Sequence, residues 1–308
     1  MIKKLIVAGL VAFMLLPLLG GCALVSRQLE ETPEIDLLST VAELKEELPS
    51  SELLSVVANE STFYVGYRQF YPEWAVVPPR LIGEVLGTTE RDILFDPYGG
   101  PSMADWAENL AAMANPLTAV IPAGSEYYEV KGYDTQTYLA LQNGGNYYLY
   151  TNSPKEMPSF PQGTLDDDLM ASFAGSPEEA YLQAYTFVSG FSEDFVVLDV
   201  QKANIDNIDN LITLVAQYSD SIGCTLLLTS KNYVEARGYL TYESGNEFEW
   251  TFRGGSFVYL EQSEIDESRA TVDAGFHVAP LFGSGERFIY EKENNAWVLI
   301  GMQRRWIS

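Results

Sequence analysis

Apolar and polar positions recur along this chain with two different periods, and the period changes from one segment to the next. Over residues 34–48, leucine and valine recur at steps of four, three and four, which predicts an amphipathic helix that ends at Pro49. This helix either packs against its own domain or forms a short stalk that binds a partner.

The part of the chain before residue 153 is dominated by predicted strands. Aromatic and β-branched residues favour strands at 62–70, 81–86, 127–131, 138–142 and 147–151. A predicted short helix over residues 102–115, with Ser102 in a capping position, interrupts this series. The run Asn143-Gly144-Gly145-Asn146 favours a tight hairpin turn, because Asn and Gly tolerate a positive φ.

After residue 173 the helical signals come first. Ser176, Pro177 and Glu178 supply a cap, a proline suited to the first helical position and an acid at the positive end of the dipole, which predicts a helix over 176–189. Asp206 is predicted to cap a second helix, over 206–218. Residues 195–200 form either a buried strand or a continuation of the first helix.

From residue 233 the apolar period falls to two. It predicts successive antiparallel strands at 233–242, 247–252, 256–261, 270–276, 287–292 and 297–303. Gly254-Gly255 and Asn294-Asn295 are predicted hairpin turns. Helices followed by such a meander are typical of an α+β domain, in which helices cover one face of a curved antiparallel sheet.

The segment 154–172 separates these two patterns. It contains several prolines and the run Asp166-Asp167-Asp168, which offer little apolar surface to bury. We therefore predict an α+β protein of two small domains, a β-rich module over 61–153 and an α+β domain over 173–308. A tether and the amphipathic helix, over 22–60, come before them.

The first 22 residues have the order of a secretory signal. Lys3 and Lys4 precede the uncharged segment 5–19, and small residues lead to Cys22. A helix needs ~20 residues to cross the ~30 Å hydrocarbon core of a bilayer, so this segment is shorter than a typical transmembrane helix. The four residues Leu19-Gly20-Gly21-Cys22 resemble the lipobox of bacterial lipoproteins.

The lipobox resemblance implies that residues 1–21 are removed as a signal peptide and that Cys22 carries a diacylglycerol, with palmitate-type acyl chains. Two acyl chains on one residue are sufficient for stable anchoring. The resemblance thus predicts a lipoprotein of the cell membrane, on its extracytoplasmic face, with the membrane as its first partner. A signal cleaved without lipidation and an uncleaved anchor are the alternatives.

The composition is that of an acidic chain that forms a core. Apolar residues make up 47% of it and aromatic residues 13%, which distinguishes it from a disordered acidic tail. The net charge is −25, with 43 acidic residues against 18 basic ones. Binding to a phosphate backbone relies on Lys and Arg that displace counterions, so the charge argues against nucleic acid as a partner.

Two further resemblances cover parts of the chain. Gly83-Glu84-Val85 and the run over 124–133 resemble a small β module of uncharacterised lipoproteins and secreted proteins of Gram-positive bacteria, which implies an architecture without an activity. The element order after residue 173, with the hairpin over 290–297, is loosely similar to the cone-shaped NTF2-like domains. That resemblance implies an apolar cavity for a small ligand.

A Ser-His-Asp or Cys-His site would have to use His277, and Cys224 is the residue that would offer a reactive thiol. His277 is the only histidine and follows a predicted strand end, which suits a solvated loop better than a catalytic site. Once Cys22 is lipidated, Cys224 has no disulfide partner, and we predict that it is buried as a small apolar residue.

Carboxylates are too frequent for any pair to stand out. Glu247 and Glu249 share one face of a predicted strand, but a solvated face explains them as well as a glycosidase pair does. The runs Asp166-Asp167-Asp168 and Asp206-x-x-Asp209 offer oxygens for calcium, yet capping or loop roles account for both. We predict no metal site, no cofactor and no catalytic residues.

Tyrosines are concentrated in the β-rich module. Neighbouring residues of a strand point to opposite faces, so some of these rings are exposed unless both faces are covered. Exposed aromatic rings mark binding surfaces, which gives Tyr128, Tyr133, Tyr148 and Tyr150 as candidate ligand-binding residues. The alternative is a core on both faces of the module.

These observations predict a non-enzymatic binding or scaffold protein at the cell surface. Its partner would be a cell-wall glycan, a small ligand or another protein. The alternative is a cell-wall or carbohydrate hydrolase that works through paired carboxylates.

Overall fold

The computed structural model describes residues 61–98, 117, 119–153, 159–192, 194–242, 250–252, 254–280 and 282–307. The predicted helices over 34–48 and 102–115, the signal sequence with Cys22, and the pair Glu247 and Glu249 lie outside these residues. Within them the fold is mixed α/β and dominated by strands.

The strands of the first half form hairpins. Their bounds are β1 Phe63–Val65, β2 Arg68–Val76, β3 Ile82–Thr88, β4 Ile93–Phe95, β5 Ala119–Ile121, β6 Glu126–Val130, β7 Tyr138–Asn143 and β8 Asn146–Thr151. The predicted two-residue turn between β7 and β8 is confirmed, since Asn143 pairs with Asn146 and Gly144 has a φ of 57°. A Cβ at Gly144 would also collide with the Asp209 carboxylate.

The second half begins with helices and ends in long strands. Its helices are α1 Asp167–Ser172, α2 Pro177–Val188, α3 Ile208–Ser221 and α4 Lys231–Ala236. Its strands are β9 Phe195–Asp199, β10 Thr225–Leu228, β11 Leu240–Tyr242, β12 Trp250–Phe252, β13 Gly255–Ile265, β14 Arg269–Ala279, β15 Phe282–Glu293 and β16 Ala296–Ile307.

The helix starts follow local capping rules. Ser176 caps α2 and accepts a hydrogen bond from the Glu179 N–H, as predicted. Asp166 caps α1 by accepting from the Leu169 N–H, so the aspartate run has a capping role. The cap of α3 is Asn207, one residue after the predicted Asp206.

One large sheet contains most of the described strands, in the order β16-β15-β14-β13-β9-β10-β2-β8-β7-β6-β3, with β1 beside β2. The meander β13 to β16 is antiparallel, and Asn294-Asn295 forms its last turn with a positive φ at both residues. However, β13 and β10 both run parallel to β9. The sheet is therefore mostly antiparallel, in agreement with the predicted antiparallel meander, but its centre contains parallel pairs that were not predicted.

Two strand predictions after residue 230 were also wrong in part. The segment predicted as a strand over 233–242 begins inside α4, which Ser230 caps, and only its end forms β11. Gly254-Gly255 does not join a hairpin, because β12 pairs with β11 whereas β13 pairs with β9 and β14. The segment 195–200 is a strand and not a continuation of the helix.

Both faces of the central strands are covered. On one face Val196 and Leu198 pack in a first core cluster with Tyr181 of α2 and Leu211 of α3. On the other face Val197 packs in a second cluster, which includes Leu227, Val234 of α4, and Trp250 and Phe252 of β12. The strands at the centre are thus apolar on both sides, as parallel strands usually are.

The predicted division into two domains is not confirmed. Strand β2 pairs with β8 on one side and with β10 on the other, so one sheet continues across the segment 154–172. The first core cluster also contains Leu139 and Tyr148 together with Leu198 and Val258. All of the described residues fall into one compact unit of the chain. Among them no helix is both long and apolar enough to cross a membrane.

Candidate functional site

Strand β9 lies at a point where the direction of the chain connections reverses. From β9 the chain passes through α3 to β10, and from β10 it returns through α4, β11 and β12 to β13 on the other side of β9. Helix α3 belongs to the first core cluster and α4 to the second, so the two connections cover opposite faces. In open α/β sheets, ligands bind outside the carboxyl ends of the strands at such a switch point.

A crevice lies at this place, with a volume of about 380 Å³. Its wall includes Val197 and Asp199 of β9, Thr229 after β10, and Phe257 of β13. This volume is at the lower end of the ~300–1,000 Å³ that is usual for small-molecule sites. We call it the switch-point crevice.

Aromatic side chains form much of the wall of the switch-point crevice. Trp250 meets Phe257 edge to face, with 5.5 Å between the ring centroids. His277, at the register position opposite Phe257, stacks on Trp306 with its centroid 4.5 Å away. Rings held by other rings lose little freedom when a ligand arrives, so this wall is organised before binding.

Asp199 supplies a carboxylate at the end of β9. Its Oδ1 accepts a hydrogen bond from the Gln201 N–H at 2.9 Å. Burial raises the pKa of Asp199, while hydrogen bonds from Gln201 and the charge of Lys202 act in the opposite direction. A desolvated carboxylate of this kind gains strongly from a hydrogen-bond donor on a ligand.

Thr229 is the least expected member of the crevice wall. Its side chain is only 1% exposed, and its Oγ1 has no hydrogen-bond partner within the part of the chain that the structure describes. A buried hydroxyl without a partner costs about 1–3 kcal/mol relative to a paired one. Thr229 lines the switch-point crevice, and although its Oγ1 is itself buried, a rotation of the side chain would let a ligand there supply the missing partner.

The crevice wall contains one carboxylate and one ammonium group among its described residues, on Asp199 and Lys231. The Nζ of Lys231 lies 4.6 Å from the centroid of Trp250 in a cation–π contact. Burial lowers the pKa of His277, and the nearby charge of Lys231 lowers it further. Both effects favour the neutral imidazole.

The sequence-predicted tyrosines lie elsewhere. Tyr148 and Tyr150 are completely buried, with at most 1% of each side chain exposed, and they pack in the first core cluster. They therefore offer no exposed ring to a ligand. Both faces of the module are covered, which was the alternative interpretation of these residues.

Tyr128 and Tyr133 are half-buried and engaged with their own neighbours. Tyr128 donates a hydrogen bond to Glu126 at 2.7 Å, which raises its pKa to about 12, and meets Tyr147 edge to face. Tyr133 packs on Tyr138 and donates to the Ser159 carbonyl oxygen at 2.7 Å. Neither residue lines the switch-point crevice.

The structure does not bring Cys224 and His277 together in the crevice. Cys224 is buried, as predicted, at the amino end of β10, and its thiol donates to the Ser192 carbonyl oxygen. His277 lies in β14 and lines the crevice, so it is not in a solvated loop as expected. Within the described ranges, no three His, Cys, Asp or Glu side chains are placed to hold a metal ion.

Sequence reasoning missed Asp199, Thr229, Lys231 and Trp250. A signal for part of the site was present, because Thr229 and Ser230 follow the apolar run of β10 and precede a helix start. Polar residues directly after a buried parallel strand mark the edge at which ligands bind. The signal was lost because the segment after Ser230 was interpreted as a strand.

A larger cavity, of about 430 Å³, lies between α2 and strands β14 to β16. Phe187, Phe276 and Phe288 form its apolar wall, and the Glu286–Arg304 ion pair lies at its side. None of the described side chains in its wall is a buried polar group without a partner. The switch-point crevice is therefore the better candidate site.

Comparisons with known proteins found no relative of this chain: no protein-family model matches it, and neither does a curated protein or a solved structure. The geometry alone defines the class, a mixed α/β protein with a crevice at the carboxyl ends of parallel strands. The resemblances to the lipobox, to the Gram-positive β module and to NTF2-like domains stay predictions.

Proposed function

We propose that this chain is a non-enzymatic binding protein whose ligand is a small organic molecule held in the switch-point crevice. The observation that carries the proposal is the aromatic-walled crevice, which is lined by the Asp199 carboxylate and by Thr229, a residue whose buried hydroxyl has no partner among the described residues. Ligand sites combine an apolar wall with a few convergent polar groups, and this crevice has both.

The arrangement of acids favours binding over hydrolysis. A glycosidase needs two carboxyl groups ~5–9.5 Å apart with a free path to the substrate. Asp199 is the one carboxylate among the described residues of the crevice wall. Glu261, whose charge also raises the pKa of Asp199, is paired with Lys202 at 2.9 Å. If the protein hydrolyses a glycan, and both Asp199→Asn and Glu261→Gln abolish this activity, the result would instead support the hydrolase.

The proposed place of action is the extracytoplasmic face of the cell membrane. The lipobox-like residues 19–22 and the short apolar segment before them support a lipid anchor on Cys22. An acidic surface is repelled by anionic lipids, so the acyl chains would supply the attachment.

Replacing Cys22 with alanine should move the protein out of the membrane fraction, because no acyl chain can then be attached. Cell fractionation and mass spectrometry of the purified chain measure this. Cys224→Ala is the matched control, since that cysteine is buried in the fold and its variant should stay with the membrane. A Cys22→Ala protein that remains on the membrane, together with a wild-type chain without lipid, would contradict the anchor.

Replacing Thr229 with valine should have opposite effects on stability and on binding. Valine removes a buried hydroxyl without a partner and keeps the shape, so we expect the free energy of unfolding to rise by about 1 kcal/mol. The same change should weaken any ligand that bonds to this hydroxyl. Denaturant unfolding and ligand-observed NMR, with a mixture of small aromatic and hydroxylated fragments, measure the two effects.

Thr225→Val is the control for this pair of effects. Thr225 is equally buried, at the start of β10, but its Oγ1 accepts a hydrogen bond from the Phe160 N–H. The loss of this hydrogen bond in Thr225→Val should lower the free energy of unfolding by about 1 kcal/mol and leave fragment binding unchanged. If Thr229→Val is also destabilising and fragments bind both variants equally, the crevice is not a binding site.

A further inference from the structure

The chemistry of the switch-point crevice restricts the charge of its ligand. An anion would meet the Asp199 carboxylate inside a chain of net charge −25. A cation would meet Lys231, whose ammonium already lies over the face of Trp250. Like charges in a partly desolvated site repel strongly, so a singly charged ligand is repelled by one of these two groups and a ligand without net charge is favoured.

The polar groups of the crevice match hydroxyl groups. The Asp199 carboxylate accepts hydrogen bonds, and the Thr229 hydroxyl can donate one and accept others. A ligand hydroxyl can do both, so one class of functional group would satisfy both positions. A purely apolar ligand would leave the Thr229 hydroxyl without a partner and would desolvate the Asp199 carboxylate further, with only its hydrogen bonds from Gln201 to compensate, which is costly.

The walls and the volume of the switch-point crevice restrict the shape and the size of its ligand. Phe257, Trp250 and His277 offer ring surfaces on which the C–H face of a saturated ring can pack. A crevice of about 380 Å³ accommodates a ligand of one ring, or two small ones, and not a polymer segment of many units.

We infer that the switch-point crevice binds an uncharged, polyhydroxylated ring of the size of a monosaccharide. One hydroxyl donates to Asp199, another pairs with the Thr229 hydroxyl, and the apolar face of the ring packs on the aromatic wall. This inference rests on the proposed function and adds the class of the ligand to it.

The test uses sugars that share one ring and differ in charge. Saturation-transfer NMR titrations of the full chain with glucose, N-acetylglucosamine, glucosamine and glucuronate compare neutral, cationic and anionic forms. We expect glucose or N-acetylglucosamine to bind at least about tenfold more tightly than either charged sugar, because the neutral forms avoid an unpaired charge in the site. Phenylalanine serves as a zwitterion that could satisfy Asp199 and Lys231 together.

Two variants locate the binding. Thr229→Val should weaken the neutral sugar about two- to tenfold, the loss of one neutral hydrogen bond, whereas Thr225→Val should not change it. Asp199→Asn keeps the shape and an acceptor oxygen, so it should weaken the neutral sugar about tenfold, and because it removes the carboxylate that repels anions it should bind glucuronate less poorly than the wild type does.

The outcomes separate this inference from the proposed function. Tighter binding of glucosamine, glucuronate or phenylalanine overturns the assignment of a neutral sugar. The assignment is also overturned if neither neutral sugar binds at millimolar concentration. If fragments still bind in that case, and their binding depends on Thr229, the proposed function as a small-ligand-binding protein stands. If neither sugars nor fragments bind, both proposals fail.

Discussion

Replacing Arg237 with methionine should lower the free energy of unfolding by about 3–5 kcal/mol, the usual cost of removing one partner from a buried ion pair. The Arg237 guanidinium donates to both carboxylate oxygens of Glu73, at 2.6 and 2.7 Å. Glu73 is only 2% exposed and the Arg237 side chain 15%. Methionine fills a similar volume but leaves the carboxylate buried without a counter-charge.

The cost of this change should depend on pH in a definite direction. Burial raises the pKa of Glu73 to about 7, against the lowering effect of the Arg237 charge and hydrogen bonds. A carboxyl whose pKa is higher in the folded state stabilises the fold while it is protonated, and that stability is lost as the pH rises through the folded pKa. Without Arg237 the folded pKa rises further, so Arg237→Met should be more destabilising at pH 8 than at pH 5.

Denaturant unfolding at the two pH values measures both effects. Arg304→Met is the matched control, because Arg304 forms a solvent-exposed ion pair with Glu286 and its side chain is 66% exposed. Exposed pairs contribute about 0–1 kcal/mol. An equal and small effect of both substitutions, without a pH dependence, would mean that Glu73 is not buried as a charged partner of Arg237.

The Glu73–Arg237 pair also connects the two halves of the chain to the candidate site. Glu73 lies in β2, and Arg237 follows α4, whose first residue, Lys231, lines the switch-point crevice. The Tyr233 hydroxyl of α4 donates to the Pro72 carbonyl oxygen at 2.8 Å and holds the same contact. We therefore expect Arg237→Met to weaken ligand binding as well as stability.

Replacing Leu198 with alanine should lower the free energy of unfolding by about 2–5 kcal/mol, the range for a large-to-small change in a core. Leu198 is fully buried in the first core cluster and lies in β9, which pairs with β10 and β13. Because this cluster contains side chains from both halves of the chain, the cavity that Leu198→Ala leaves in the core should destabilise both halves together.

Hydrogen exchange of the variant distinguishes one cooperative unit from two domains. In one unit, amides of β7 and β8 should lose as much protection as amides of β14 and β15. Val298→Ala is a suitable control, since Val298 is 39% exposed on the edge strand β16 and should change protection little. Loss of protection confined to residues 173–308 would restore the predicted division into two domains.

Local sequence signals determined the features that depend on neighbouring residues. The start of α2 could be predicted from Ser176 and Pro177, because a cap satisfies backbone N–H groups only three residues away. The turns at Gly144-Gly145 and Asn294-Asn295 followed from the φ values that these residue types tolerate. The strands of the meander followed from the apolar period of two.

Features that depend on distant partners could not be predicted in this way. The alternation that indicates a strand is the same whether its neighbour runs parallel or antiparallel, so the parallel pairing of β13 with β9 was missed. The tyrosines of β8 follow the predicted alternation, but only the cover on both sheet faces decides that Tyr148 and Tyr150 are buried.

Local patterns of residues thus predicted most of the helix starts, turns and strands, although α4 was predicted as a strand, and the acidic charge and the signal-like N-terminal segment are visible in the composition and order of the residues. The sheet order and the switch-point crevice follow only from contacts between distant parts of the chain. Asp199, Thr229 and His277 are separated by tens of residues, and the register of β9, β10, β13 and β14 brings them to one cavity. That register is set by long-range packing on both faces of the sheet, which no local pattern of residues specifies.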